Sequence, residues 1–223
     1  MAVAKCRVAG SDYVGVFATC TDRYLFTGMG VQAHVRKLIA DTLGIECVEL
    51  SIFDSNIIGL FARANSNGIV FSNMISDAEL SAFKSERLDI RVCVPETGIN
   101  AAGNNIIAND KIALVNPDYS HETVKQISDA LGVEVIRATI GGFKTLGANN
   151  ILTNKGFLIN NRSTDEEKEA VDKLVGFESM RTTANTGYVN IGLSAIANSN
   201  GAVVGDSTTG FELARIMEAL EIE

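Results

Sequence analysis

Residues 59–71 read Gly59-Leu60-Phe61-Ala62-Arg63-Ala64-Asn65-Ser66-Asn67-Gly68-Ile69-Val70-Phe71. Two short apolar runs, at residues 59–62 and 69–71, lie on either side of the turn-forming residues 65–68. Two β runs around an Asn/Gly turn predict a β-hairpin, with its first strand starting at the glycine. The same pattern recurs along the chain.

The glycine that begins this segment returns at a nearly constant interval. It occurs at Gly15, Gly59, Gly103, Gly147 and Gly192, with gaps of 44, 44, 44 and 45 residues. Six residues after each glycine stands a polar turn residue, namely Thr21, Asn65, Asn109, Thr153 and Asn198. Twenty-four residues after each stands a large apolar residue, namely Ile39, Phe83, Ile127, Val171 and Ile216. Because several positions keep one phase, the sequence predicts five structural repeats of about 44 residues.

The repeats also carry the signals of a helix and, except in the fifth repeat, of a third strand. Ser or Thr precedes Glu by three residues in the pairs Ser76 with Glu79, Thr164 with Glu167, and Thr209 with Glu212. Such pairs predict capping boxes at helix N-termini. Glycines stand where a helix C-terminus favours a left-handed residue, at Gly44, Gly132 and Gly176. A further apolar run, as in residues 45–50, makes the unit strand–strand–helix–strand.

The order of the elements predicts a closed ring. The fifth repeat ends with a helix near Leu220 and lacks its third strand, whereas residues 2–8 supply a β run ahead of the first glycine. Pairing that run with the fifth repeat would leave no edge strand exposed. We expect a five-fold pseudosymmetric α/β ring, with sheets facing the axis and helices outside, formed by a single domain over residues 1–223.

Composition argues against several classes of function. Hydrophobic residues make up 46% of the chain and charged residues 21%, as in globular proteins. Asp and Glu number 27 against 19 Lys and Arg, a net charge of −8, so no general grip on DNA phosphates is expected. No apolar run approaches the ~18 residues that span a bilayer. Four dispersed cysteines form neither a disulfide framework nor a CxxC zinc site. We expect a cytoplasmic monomer that needs no membrane, metal or cofactor.

Several dispersed motifs resemble one known family. They are Ala102-Gly103-Asn104, residues 107–110 with 113–118, residues 131–135, and the segment 206–213 at the start of the last helix. On these motifs the whole chain is identified as a member of the translation initiation factor 6 family, in its short archaeal form. The resemblance implies the pentein fold, an α/β propeller of five such units.

The resemblance also implies a non-enzymatic function, with no catalytic residue. Members of the family bind the intersubunit face of the large ribosomal subunit and prevent its premature association with the small subunit. They also take part in large-subunit biogenesis. The implied partner is chiefly a ribosomal protein beside the sarcin–ricin loop, with a minor contact to rRNA. A net charge of −8 suits such a partner, since ribosomal proteins are generally basic.

Residues that share a phase in a closed ring lie at the same end of it. The five glycines and the residues beside them should therefore form a rosette, and glycine there permits close backbone approach near a crowded axis. Asn104 and Asn149 are polar where Leu60 and Leu193 are apolar, and a mixed disc suits protein recognition. The resemblance implies that this end faces the ribosome. The expected ribosome-binding residues are Gly59, Gly103, Asn104 and Asn149.

Guanidine-modifying hydrolases and amidinotransferases of the same fold are the alternative. Their chemistry needs a Cys thiolate close to a His in a pocket at the ring axis. Those enzymes place the nucleophile late in the chain, whereas no Cys follows Cys93 here. His34 and His121 are expected on outer helices, away from the axis, which disfavours this alternative.

Overall fold

The computed structural model describes residues 2–222. Residues 1 and 223, the ends of the range predicted to be one domain, lie outside the described residues. Mixed α and β elements repeat five times in the same order, as the 44-residue period predicts. Each repeat is called a unit below, and the elements are numbered in chain order.

The first unit contains α1 (Val14–Phe17), β2 (Ala18–Cys20), β3 (Tyr24–Gly28), α2 (Ala33–Leu43) and β4 (Glu46–Leu50). The second contains α3 (Ile58–Phe61), β5 (Ala62–Ala64), β6 (Gly68–Phe71), α4 (Asp77–Ser85) and β7 (Arg91–Cys93). The third contains α5 (Ala102–Asn105), β8 (Ile106–Ala108), β9 (Ile112–Val115), α6 (His121–Leu131) and β10 (Glu134–Arg137). The fourth contains α7 (Leu146–Asn149), β11 (Ile151–Leu152), β12 (Phe157–Asn160), α8 (Asp165–Val175) and β13 (Ser179–Thr182). The fifth contains α9 (Ile191–Ser194), β14 (Ala195–Ala197), β15 (Ala202–Gly205) and α10 (Gly210–Ala219), and its third strand is β1 (Val3–Cys6).

Every unit builds one three-stranded sheet. The first two strands pair antiparallel, as in β2 with β3, and the third strand pairs parallel to the second, as in β3 with β4. In the first four units a long helix connects the two parallel strands, as parallel pairs require. In the fifth sheet, β1 pairs parallel to β15 with Val3 opposite Ala202. The predicted pairing of the N-terminal strand with the last repeat is confirmed.

The helix signals in the sequence are also confirmed. Ser76, Thr164 and Thr209 each form a capping box with the Glu three residues later. Gly44, Gly132 and Gly176 have φ values of 66°, 65° and 83°, the left-handed conformation that ends a helix. Local sequence therefore fixes where most of the long helices begin and end.

The prediction that each first strand starts at the periodic glycine is wrong. Gly59 lies inside the single helical turn α3, and the strand starts three residues later at Ala62. The same holds for Gly15, Gly103, Gly147 and Gly192. A methyl group on Gly59 would overlap the carbonyl oxygen of Gly15. Each glycine faces the glycine of the preceding unit in this way, and Gly15 faces Gly192. The close approach expected of glycine is present, but helical turns make it.

The hydrophobic cores lie between neighbouring units. Phe83 of α4 packs against Phe26 of the first sheet and Phe71 of its own sheet, with ring centroids 6.0 Å and 4.9 Å away. In the same way, Ile39 of α2 belongs to a core with Val203 of the fifth sheet. Each long helix thus buries its apolar face between two sheets, which joins consecutive units without a linker.

Candidate partner-binding face

One end of the molecule carries the short helices. First strands leave this end and second strands return to it, and third strands run parallel to the second. The end therefore gathers α1, α3, α5, α7 and α9, the turns that precede them, and the loops that follow the second strands. We call this surface the rosette face. It contains all four residues expected to bind a partner.

Three of these four residues lie together at adjacent short helices. Gly59 and Gly103 are buried in α3 and α5, where they allow the two helices to touch. Asn104 follows Gly103 and is half-buried, and its Oδ1 has no hydrogen-bond partner within residues 2–222. Rotation about the last side-chain bond of an asparagine is soft. The oxygen itself is buried, so a donor on a partner could reach it only after the amide group rotates.

Asn149, the fourth residue expected to bind a partner, is the last residue of α7. Its side chain is completely buried. Its Nδ2 donates to the carbonyl oxygen of Thr145 at 2.8 Å, and its Oδ1 accepts from Asn190 at 2.8 Å and from Asn160 at 3.1 Å. These bonds leave no polar atom of the amide free. Asn149 thus ties together three segments beneath the rosette face, and its expected contact with a partner stays a prediction.

Exposed apolar side chains surround the short helices. Phe53 is 63% exposed and Phe211 is 74% exposed, and Met29 and Tyr13 are also exposed. Phe53 lies in the turn before α3 and Tyr13 in the turn before α1, whereas Met29 follows β3 and Phe211 is the second residue of α10. Among residues 2–222 two further large apolar side chains are exposed, Leu38 and Leu174, and both lie on long helices. Apolar exposure is thus concentrated on one face, which is typical of an interaction site.

The turn that carries Phe53 is strained. Phe53 and Asp54 have φ values of 56° and 52°, in the left-handed region that non-glycine residues rarely adopt. The turns at corresponding places in other units use Ala9 with Gly10, Gly141 with Gly142, and Asn185 with Thr186, all with positive φ. A bulky aromatic residue in this conformation costs about 1–3 kcal/mol and persists where surrounding contacts enforce it.

Those contacts come from Glu79, the third residue of α4. Its carboxylate accepts hydrogen bonds from the amides of Phe53 and Asp54 at 3.2 Å and 3.0 Å, and from the Ser51 hydroxyl at 2.6 Å. Burial by itself would raise the pKa of Glu79, but the hydrogen bonds from Ser51, Ser76 and Asp54 outweigh it and lower the pKa to about 2. The capping box therefore also fixes the exposed turn.

Two other capping-box glutamates do the same. Glu212 accepts from the amides of Thr186 and Gly187 at 3.2 Å and 2.7 Å, and Glu167 accepts from the amide of Gly141 at 3.1 Å. Each carboxylate reaches the positive-φ turn beside its own helix. Sequence spacing revealed the caps, but not that the same glutamates hold the turns of the rosette face.

The cysteines and histidines, all within residues 2–222, do not form the thiolate–histidine pair that a guanidine-modifying enzyme would need. Burial raises the pKa of Cys20 to about 12 and that of Cys6 and Cys93 to about 11, and it also raises the pKa of Cys47. A nucleophilic thiolate requires the opposite shift. His34 and His121 are exposed on α2 and α6. Both histidines thus lie at exposed positions of long helices.

Residues 2–222 hold neither a metal-binding cluster of side chains nor a helix able to span a membrane. No group of three or more His, Cys, Asp and Glu side chains there is arranged to hold a metal ion. No helix in that range has the length and apolar character needed to cross a bilayer.

Known proteins resemble this chain over nearly its full length. The model of the eIF-6 family matches residues 3–219. Translation initiation factor 6 of Pyrococcus abyssi is 38% identical, over 99% of each chain. The protein of the same name from Methanosarcina acetivorans is 37% identical, over 94% of each chain, and that of Saccharolobus islandicus is 34% identical, over 99% of each. These relatives are named as translation initiation factors and not as enzymes, so the guanidine-modifying alternative is set aside. The chain belongs to the eIF-6 family of translation initiation factors.

Proposed function

We propose that this protein binds the large ribosomal subunit at its intersubunit face and prevents premature association with the small subunit. The proposal includes a role in large-subunit biogenesis. Membership of the eIF-6 family supports it, and so do the names of the archaeal relatives. The mechanism is steric occlusion, which requires a firm docking surface and no chemical step.

The concentration of exposed apolar side chains on the rosette face is the observation that carries this proposal. Phe53, Met29, Tyr13 and Phe211 offer aromatic and Met side chains, which are enriched in protein interfaces. Asn104 adds an amide with an unsatisfied oxygen. Gly59 and Gly103 contribute by allowing α3 and α5 to lie side by side. The rosette face is therefore the proposed docking surface.

A basic ribosomal protein beside the sarcin–ricin loop is the proposed main partner, with a minor contact to rRNA. The net charge of −8 favours association with a basic protein and disfavours extensive phosphate binding. The protein would act in the cytoplasm as a monomer.

A closed five-unit ring of the pentein type, forming one domain over residues 1–223, is part of the same proposal. The pairing of β1 with β15 supports it, because this joins the two ends of the chain in one sheet. The cycle of glycine contacts supports it as well, since Gly15 faces Gly192. Further support comes from Asn198, whose Nδ2 donates to the carbonyl oxygen of Thr21 at 3.2 Å.

Co-sedimentation with separated ribosomal subunits tests the proposed function. The wild-type protein should migrate with large subunits alone and reduce the yield of joined ribosomes on mixing. Phe53→Asp should weaken this binding at least tenfold, because it replaces a central apolar contact by a charge. Leu174→Asp, on the outer face of α8, is the matched control and should bind normally. Absence of binding to any subunit at low salt would contradict the proposal, and equal loss in both variants would exclude the rosette face.

A further inference from the structure

The first strands of the five units surround a narrow cavity on the axis of the molecule. Residues of β2, β5, β8, β11 and β14 all line it, and Gly15 and Gly192 lie at its rosette end. We call it the axial cavity. Its volume is about 30 Å³, which is room for two or three water-sized particles at about 10–15 Å³ each.

One layer of side chains in the axial cavity breaks the pattern of the repeats. The residues four positions after each periodic glycine are Thr19, Arg63, Ile107, Ile151 and Ile196, and all five line the cavity. Three of them are apolar. Arg63 is the single charged side chain among the described residues that line this cavity. The second unit therefore places a guanidinium in a layer where three of the other four units place isoleucine.

The hydrogen-bonding capacity of Arg63 is largely unused. Its Nη2 donates to the carbonyl oxygen of Gly103 at 2.8 Å, but its Nε is shielded from solvent and has no partner within residues 2–222. Its guanidinium forms none of the ion pairs found in that range. Burial lowers the pKa of Arg63 to about 10, so the side chain still carries its charge at neutral pH. Arg63 is half-buried overall, and a partly buried positive charge without a counter-ion has a free-energy cost that a bound anion would offset.

A second unpartnered group points to the same place. Thr19 is almost fully buried, and its Oγ1 has no hydrogen-bond partner among the described residues. Thr19 and Arg63 occupy the same position in adjacent units, and both line the axial cavity. A hydroxyl and a guanidinium N–H can both donate to one acceptor between them.

The acidic side chains at the other end of the cavity are already engaged. Asp22 accepts from Ser199 and Asn154, and Asp110 accepts from Ser66 and Asn154, at 2.7–2.9 Å. Asp22 lies in the turn after β2, and Asp110 lies in the corresponding turn after β8. Arg63 extends the opposite way, toward Gly103 and Gly147. These carboxylates therefore do not neutralise the guanidinium.

We propose that the axial cavity binds one monovalent inorganic anion of the halide class, held by the guanidinium of Arg63 and the hydroxyl of Thr19. The anion accepts hydrogen bonds from Arg63 Nε and Thr19 Oγ1, the two donors that the chain leaves unpaired. A single halide ion, which is larger than a water molecule, would by itself fill a cavity of about 30 Å³, whereas a phosphate or sulfate, with five heavy atoms, exceeds its volume. The site lies at the seam between the first and second units, so the bound anion links them.

Bromide is the probe for a crystallographic test. Crystals of the wild-type protein grown in sodium bromide should show an anomalous difference peak in the axial cavity next to Arg63, and crystals of Arg63→Met should lack it. Arg63→Met is expected to fold, because Met fits a layer made chiefly of isoleucine. Ordered water alone in the wild-type cavity at several hundred millimolar bromide would overturn the proposal.

Thermal unfolding in solution gives an independent test. The melting temperature of the wild-type protein should rise when sodium bromide replaces sodium gluconate at constant ionic strength, because an ion that binds the folded state stabilises it by mass action. Thr19→Val preserves shape and removes one donor, so the bromide concentration for half of the effect should rise about tenfold. Arg23→Met removes an exposed arginine elsewhere and should respond like the wild type. Equal responses of all the variants would overturn the proposal.

Discussion

The Glu79 carboxylate accepts a hydrogen bond from the amide of Asp54 at 3.0 Å, which joins the start of α4 to the turn between the first and second units. Through this bond the capping-box glutamate of α4 also holds the conformation of a loop in the proposed docking surface. The left-handed conformation of Phe53 and Asp54 depends on it, because no glycine relieves the strain there. The Glu79 side chain therefore stabilises a helix and also shapes a loop of the proposed docking surface.

Replacing Glu79 by Gln should destabilise the protein in a pH-dependent manner. The folded-state pKa of about 2 lies below the ordinary value of 4.5. The ionised carboxylate therefore stabilises the fold above pH 4.5, and this contribution disappears as the pH falls toward 2. After allowance for solvent screening, we expect a loss of about 1–2 kcal/mol at pH 7.

Urea unfolding of both proteins between pH 2 and pH 7 measures this effect. The difference in unfolding free energy between wild type and Glu79→Gln should shrink as the pH falls. Glu86→Gln, an exposed position just after the same helix, is the control and should change stability little at any pH. A pH-independent difference for Glu79→Gln would contradict the role assigned to its charge.

Replacing Gly59 by Ala should be strongly destabilising. The added methyl group would overlap the backbone carbonyl oxygens of Gly15 and Ala18, which cannot move away without separating two units. Overpacking of this kind costs about 1–3 kcal/mol, and rigid backbone on both sides places this position at the upper end.

Gly210→Ala is the matched control for Gly59→Ala. A methyl group on Gly210 would meet no atom within 4 Å, and the residue begins α10. Because alanine restricts the unfolded chain more than glycine does, Gly210→Ala should be neutral or stabilising by up to about 1 kcal/mol. Melting temperatures of the two variants provide the comparison, and similar values for both would refute the close-packing role of Gly59.

The periodic features of this fold could be predicted from the sequence, and single departures from the period could not. Caps such as Ser76 with Glu79 are local signals, so they predict helix starts correctly. The turn α3 is only four residues long, too short to show a helical period, so the sequence pattern places Gly59 in a strand. The burial of Asn149 depends on Asn160 and Asn190, which no local pattern links to it.

The same reasoning explains the residues that the sequence did not reveal. Phe53 is an ordinary apolar residue by composition, and only its left-handed turn shows that it faces outward. Arg63 is an ordinary charged residue within a strand, and only the contacts of five units show that it enters a cavity. Whether a side chain faces outward or toward the cavity depends on how the five units pack together. Sequence spacing within one unit does not show this.

Deleting residues 2–8 should destabilise all five units and not the first alone. These residues include β1, whose pairing with β15 completes the fifth sheet, and Ala4 and Cys6 belong to the core that α2 shares with that sheet. Without β1, β15 becomes an exposed edge and α2 loses part of its packing surface. We expect a fall in melting temperature of at least 10 °C, or failure to fold.

Adding back a synthetic peptide of residues 1–9 provides the control for this deletion. If the missing strand is the cause, the peptide should raise the melting temperature of the truncated protein in a concentration-dependent way. A truncated protein with an unchanged melting temperature would contradict the structural role of β1.

Replacing Asn104 by Arg should weaken binding to the large ribosomal subunit while leaving stability nearly unchanged. Asn104 is half-buried on the rosette face and its Oδ1 has no partner within residues 2–222, so little intramolecular bonding is lost. A long cationic side chain at this position would hold a basic partner away from the face. Asn149→Ala is the informative comparison, since it removes the acceptor of the Asn190 amide and one of the two acceptors of the Asn160 amide, and it should cost about 1–3 kcal/mol of stability. Co-sedimentation with large subunits measures binding, and melting curves measure stability. Normal binding by Asn104→Arg would exclude Asn104 from the interface. A normal melting temperature for Asn149→Ala would refute its positioning role.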